Sequence, residues 1–383
     1  MKKAFLLVAA CCLISMSWFS DDRKSACLDS PLYQELAKEK WEGETDGEKK
    51  LNIIIGIDYL PYELVEIFEA LTGIKVIVDV FDSNEILEAK ILAGGSRYDL
   101  VFPTAWPNFF RQLSAQVYQP IDKSKIDFSR FESVILEKLG EYFSDEDVFC
   151  IPYQFGISGI GLDEEIIDRV LPKADKNSLG IFLNPENAKI LSKERFCVYS
   201  APEELFPMIL AYLGLDPEST NEEDIIQAAE HLKKLRPYIY KFTSFGFEDL
   251  SSNDVALTVG TSGDIFKVQR DNKRPQIKFF CPKEGAALWV DVVAIPKRAQ
   301  HLKNIYKFLK FLFHPKVIAE ITNKTSRANC VKDAIKFVDK DLASNQSIYP
   351  SAEFCKKCYI ERPVPAHVEK LRTRLLTKIK SIM

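Results

Sequence analysis

The chain has 383 residues, 46% hydrophobic and 28% charged, a balance that fits folded domains and excludes a disordered chain. Its 51 basic and 55 acidic residues leave a net charge of −4, so there is no electrostatic footprint for nucleic acid. The length is enough for two domains with cores of their own.

The N-terminus carries Lys2 and Lys3, then an apolar run from Ala4 to Phe19 that ends at Asp21 and Asp22. Residues 1–20 therefore read as a bacterial export signal, with an uncleaved anchor helix as the alternative. Val8-Ala9-Ala10-Cys11 resembles a lipobox, in which Cys11 would carry a lipid and tether the exported protein. Residues 21–50 are polar and charged, ending in EGETDGEKK, and read as a linker.

From Leu51 the pattern changes. LNIIIGI is a short apolar run, as expected of a strand covered on both faces. Pro61 opens a helix with Leu64, Phe68 and Leu71 on one face, and Gly73 closes it. Ile74 to Val80 alternates as a second strand. Ser83 or Asn84 caps a second helix that stops at Gly94-Gly95, and Tyr98 to Phe102 is a third strand. Strand, helix, strand, helix, strand predicts an α/β fold with a parallel sheet. IPYQFGISGIGL (Ile151 to Leu162) is Gly-punctuated and suits a passage from one lobe to another. Helices follow at Glu203 to Leu213 and Glu222 to Leu235, strands at Val255 to Gly260 and Ile277 to Cys281, and a helical stripe at Ile305, Phe308, Leu309 and Leu312.

Candidate chemistry gathers at strand ends, where open parallel sheets bind ligands. Asp58 and Tyr59 follow the first strand, and Thr104, Ala105 and Trp106 follow the third. Trp289 and Asp291 stand two apart in the strand-like WVDVVAIP and project from one face. A carboxylate beside an indole suits an organic cation: about 1.5–3 kcal/mol per charge-assisted hydrogen bond, and about 0.5–2 kcal/mol from the ring face. Each residue also has a plainer reading, with Asp58 or Thr104 capping a helix and Trp106 in the core.

Metal ligation needs clustered Cys or His, and His231, His301, His314 and His367 are scattered. No P-loop, GxSxG elbow or HExxH helix is present, so neither a catalytic residue, a cofactor nor a metal is expected. Paired acids in a cleft leave hydrolysis as the enzymatic alternative. Among the nine cysteines, Cys355 and Cys358 are the local candidates for a disulfide.

LNIIIGIDYLPYELVEIFEALTGIKV, YDLVFPTAW, IPYQFGISGIG and KEGAALWVDVVAIPK, in that order and spacing, resemble the spermidine/putrescine-binding receptors of polyamine ABC importers. QPIDKSKI and YLGLDPEST are also similar, so the resemblance runs from about Leu51 to Leu342. It implies a type II, two-lobed periplasmic binding protein with its ligand in the interlobe cleft. It also implies a periplasmic location and permease subunits in the inner membrane as partners. The lobes would comprise 51–158 plus 291–335, and 159–290 plus 336–383.

The resemblance assigns Asp58 to a terminal ammonium, with Tyr59 as the aromatic beside it and Thr104 and Trp106 as the hydroxyl and aromatic after the third strand. It assigns Glu204 to the second lobe's carboxylate and Trp289 with Asp291 to the central indole and acid. Asp58 and Glu204 would hold the ends of a polyamine while Asp291 meets an interior amine. The sequence departs from this pattern at Gly56, Ala201 and near Thr261, where an aromatic, a carboxylate and an indole are replaced. Tyr153 or Phe155 could refill the lost surface; the other reading is a different small cation or an amino-acid-like solute.

Overall fold

The computed structural model describes residues 28–41, 43–93, 97–140, 147–271 and 273–382. The export signal, Cys11, Cys27 and the Gly94-Gly95 helix stop lie outside the described residues.

Among the described residues ten strands run in chain order as β1 (Lys50–Gly56), β2 (Lys75–Phe81), β3 (Leu100–Val101), β4 (Cys150–Asp163), β5 (Cys197–Val198), β6 (Lys241–Phe242), β7 (Leu257–Thr261), β8 (Ile277–Phe280), β9 (Leu288–Ala294) and β10 (Ala328–Asn329). The main sheet has the order β10-β4-β9-β3-β1-β2, with β7 and β8 pairing on β4. β1 lies parallel to β2 and β3, as the alternation of strands and helices predicts. β9 instead runs antiparallel to β3 and β4, because it enters the sheet from the opposite lobe.

Helix Tyr62–Thr72 ends where Gly73 adopts the left-handed conformation at φ 68°, and its Leu64, Val65, Ile67 and Phe68 are buried. Helix Asn84–Leu92 begins after Ser83, but no side chain caps it. Asn84 is engaged elsewhere, on Thr104.

One large core joins β1, β3, the first half of β4 and helix Leu302–Leu312. A second joins Ile160 and Leu162 of β4 with helices Pro202–Tyr212 and Glu222–Leu235 and, from the C-terminus, Val368 and Leu371. β4 thus runs through both. Its first half pairs with β9 and its second half with β7 and β8. The chain crosses again at Ala287, which bridges Tyr359, itself part of a further crossing at 358–361.

Two boundaries differ from the expectation. Residues 21–50 are not linker throughout: helix Pro31–Leu36 forms, and Leu36 and Trp41 are buried in the first core. Trp41 donates its Nε1 proton to Leu36 O at 2.7 Å and meets Phe311 edge-on at 5.7 Å, so apolar surface anchors a polar stretch. Val338, Leu342, Ile348, Cys355 and Ile360 also pack in the first core, although their segment was assigned to the second lobe.

Among the described residues Cys150, Cys197, Cys281, Cys330, Cys355 and Cys358 are free thiols. Cys355 and Cys358 are unpaired; Cys355 lies in the last turns of helix Ala352–Lys357 with Sγ toward Pro350 O at 4.0 Å. None of the described helices is long and apolar enough to cross a membrane.

Candidate functional site

The site is built outward from β9. The backbone of Thr104 bridges that of Asp291, and Val292 N donates to Pro103 O at 2.9 Å, so the end of the β3 segment is stitched to the middle of β9. Thr104 Oγ1 donates to Asp291 Oδ1 at 2.7 Å and accepts from Asn84 Nδ2 at 3.0 Å, while Asn84 Oδ1 accepts from Thr104 N at 3.1 Å. Asn84 therefore orients the hydroxyl, and the hydroxyl orients the acid.

Asp291 is only 2% exposed, and its Oδ2 has no hydrogen-bond partner. A buried, half-satisfied carboxylate is costly to ionise. Burial lifts its carboxyl to about 6, against the opposing pull of the Thr104 hydroxyl, the Arg327 guanidinium and the nearby Tyr59 phenol. Tyr59 is pushed above the ordinary phenol range in turn, by burial and then by Asp291. Trp289 shares the face of Asp291, and its Nε1 is likewise buried without a partner. Its ring lies over Gly156, its register partner on β4, where a Cβ would come within 2.4 Å of Trp289 Cζ2. Gly56 plays the same part for Tyr59, since a Cβ there would meet the Tyr59 ring at 3.0 Å.

A second group of acids faces this one. Glu204 lies in the first turn of helix Pro202–Tyr212, after Glu203. Burial, then the Glu203 and Glu85 carboxylates, raise Glu204 to about 8. Glu85 comes from helix Asn84–Leu92 on the first core's side, so carboxylates approach one another across the cleft. Glu361 is raised well above the carboxylate range by burial, Glu204 and Glu203. Among the described residues neither Glu204 nor Glu361 has a Lys or Arg partner. The two acid groups are linked by the Ala287–Tyr359 bridge: two residues beyond it on the two parallel segments stand Trp289 and Glu361. Tyr199 and Tyr359 flank the acids, both raised by burial and by neighbouring carboxylates.

The sequence-predicted residues divide as follows. Tyr59, Thr104, Trp289 and Asp291 converge, and Glu204 sits in the second acid group. Trp106 is 2% exposed, as buried as Asp291, and packs in the first core. Asp58, in the left-handed conformation at φ 60°, has a largely exposed carboxylate bound to Lys267 Nζ at 2.8 Å. Tyr153 is fully buried and donates its hydroxyl to Tyr59 O at 2.7 Å, and Phe155 packs in the first core, so neither supplies an open wall.

Sequence reasoning missed Glu361, Arg327, Asp264 and Gln154. Gln154, opposite Asp291 in register, is buried with both amide atoms unpartnered. Arg327 lies with its guanidinium 4.4 Å over the Tyr59 ring and pairs with Asp264 at 2.6 Å.

A cavity of about 290 Å³ opens beside the second acid group, lined by Pro107, Phe110, Arg111, Glu203 and Arg372 among others. It adjoins the interlobe site without containing Asp291 or Trp289. Among the described residues no group of His, Cys, Asp and Glu is placed to hold a metal ion. Around Asp291 and Glu204 the unmet groups are carboxyls beside aromatic rings, an arrangement suited to binding a cation.

The profile described as bacterial extracellular solute-binding protein matches residues 63–348. The chain is 37% identical over 343 residues to the putrescine-binding periplasmic protein PotF of Escherichia coli, covering 87% of this chain and 92% of that protein. It is 35% identical to the putrescine-binding periplasmic protein SpuD of Pseudomonas aeruginosa, over 87% of this chain and 92% of that one. Among solved structures, the spermidine/putrescine substrate-binding protein PotD of Streptococcus pneumoniae superposes with a TM-score of 0.73 at 23% identity, covering 86% of this chain and 98% of that chain. The Tp0655 lipoprotein of Treponema pallidum gives a TM-score of 0.72 at 23% identity, over 86% and 99% of the two chains.

Proposed function

The chain belongs to the bacterial extracellular solute-binding protein family, and from that membership we propose that it captures polyamines of the putrescine and spermidine class in the periplasm and delivers them to the permease subunits of an ABC importer. The observation that carries this reading is Asp291: a buried carboxylate held on one oxygen by Thr104, with the other open beside the unpartnered indole nitrogen of Trp289. An amine would satisfy the open oxygen with a charge-assisted hydrogen bond and lay its methylene chain along the indole. The second ammonium would go to Glu204 and Glu361, which repel each other until a cation separates them.

The names of the relatives support the ligand class, and the two-core architecture supports capture by lobe closure about β4 and its neighbouring crossings. Closing the lobes strips water from both acid groups and strengthens each charge contact. Calorimetric titration of the exported protein with putrescine and spermidine tests the reading. It expects binding that weakens more than tenfold, about 1.4 kcal/mol, in Asp291→Asn. No heat from either amine, with wild-type protein folded, removes the proposal.

A second reading keeps the fold and changes the ligand to another small cation or an amino-acid-like solute. It is favoured by Gly56, Ala201 and Thr261, where aromatic or acidic surface is absent, and by Arg327, a cation inside the site. A thermal-shift panel in which another solute stabilises and both amines are silent selects it.

A further inference from the structure

We infer that Arg327 is a resident cation that fills one of the site's cation positions and so restricts the ligand to two cationic centres, a diamine in place of a triamine. The inference rests on the polyamine reading and names the ligand within it. It begins with an inventory of the acids near Tyr59. Asp264 has both oxygens engaged: Oδ1 accepts from Arg327 Nη2 at 2.6 Å and Oδ2 from the Thr261 hydroxyl at 2.8 Å. Asp58 has Oδ2 on Lys267 Nζ at 2.8 Å. Among the described residues there, Asp291 is the buried acid with an oxygen left unmet, while Asp58 is exposed and already neutralised by Lys267.

The Tyr59 ring is taken as well. Its face is covered by the Arg327 guanidinium at 4.4 Å, the distance at which a ligand ammonium would use the same ring. Arg327 is 9% exposed, so its charge is not dispersed into solvent, and its Nη1 also approaches Asp58 O at 3.4 Å. Gly263 makes the room: a Cβ at that position would lie 2.9 Å from Arg327 Cγ. The guanidinium is therefore built in, packed from below and paired from the side.

Among the described residues two buried acid positions without a Lys or Arg partner remain, Asp291 and the Glu204–Glu361 group. A diamine satisfies both. A triamine must place its third ammonium near a buried guanidinium whose carboxylate and aromatic partners are already used, and it meets repulsion instead of a contact.

The test is calorimetric titration of wild type, Arg327→Met, Arg327→Gln and Arg327→Lys with putrescine and with spermidine, after thermal unfolding has shown which variants fold. Wild type is expected to bind putrescine at least about tenfold more tightly than spermidine. Arg327→Met or Arg327→Gln is expected to shrink that ratio about tenfold, mainly by a gain for spermidine, and Arg327→Lys to retain it. Wild type that prefers spermidine overturns the inference without any variant, as does an unchanged ratio in a folded neutral variant. If wild type binds neither amine, the polyamine reading fails and this inference falls with it; if it binds both and the ratio does not depend on Arg327, only this inference is lost.

Discussion

Thr104 donates its hydroxyl to Asp291 Oδ1 at 2.7 Å, joining the end of the β3 segment to the middle of β9 and leaving Oδ2 as the one unmet acceptor of that carboxylate. Thr104→Val removes the donor, keeps the shape and leaves a buried acid with the neighbouring Tyr59 phenol and Arg327 guanidinium as its remaining support. Amine affinity is expected to fall roughly three- to tenfold and the Asp291 carboxyl to titrate above about 6, as followed by calorimetry across pH. Affinity equal to wild type at every pH contradicts this role for the hydroxyl.

Asn84 holds Thr104 through paired contacts of 3.0 and 3.1 Å. Asn84→Ala frees the hydroxyl to rotate, so amine binding is expected to weaken by a few-fold through a faster off-rate while the on-rate holds. Stopped-flow or surface-plasmon kinetics separate the two, and an effect confined to the on-rate speaks against positioning.

Asp291 at about 6 and Glu204 at about 8 both titrate above the ordinary carboxylate range. A folded-state pKa raised above the unfolded one means that the folded protein holds more protons, so the associated stability is complete below about pH 4 and is lost as pH rises through 6 and then 8. A dication reverses this, since it binds the ionised acids. The thermal shift caused by putrescine is therefore expected to be larger at pH 8 than at pH 5, and Glu204→Gln to flatten the upper half of that rise. Equal ligand shifts at both pH values would show that these acids do not meet the cation.

Gly156 lies under the Trp289 ring, where a Cβ would stand 2.4 Å from Cζ2. Gly156→Ala must move either the indole or β4. A loss of roughly 1–3 kcal/mol in stability is expected, with weaker amine binding alongside. Denaturant titration and calorimetry together check it; a variant as stable and as tight as wild type shows that the indole moves freely.

Trp41 is buried in the first core, far in sequence from every acid of the site. Trp41→Ala is expected to cost about 3–5 kcal/mol of stability and to leave amine affinity unchanged in the fraction that stays folded. An affinity loss at full folding would tie the N-terminal segment to ligand capture.

The long apolar or alternating runs were legible because burial writes a period into them: β1, β2 and helices Tyr62–Thr72, Pro202–Tyr212 and Glu222–Leu235 lie close to where their patterns place them. Trp289 and Asp291 were legible as a same-face pair for the same reason. Strands of two residues such as β5 and β10 carry no period, and β10 is what sets Arg327 against Tyr59. Glu361 left no signal either, because it meets Glu204 through the pairing of Tyr359 with Ala287, a contact between distant parts of the chain. The pairing of Asp58 with Lys267 left no signal, because Lys267 comes from a helix more than two hundred residues away, which no local pattern reports.

β4 is one unbroken strand of 14 residues, with a different set of partners on each half and Gly159 near the changeover. A Cβ at Gly159 would strike the Phe279 ring at 2.6 Å. Each half is clamped like a leaf spring in its own mount, and the notch at Gly159 leaves the strand just enough clearance for an aromatic ring to seat where the two mounts meet.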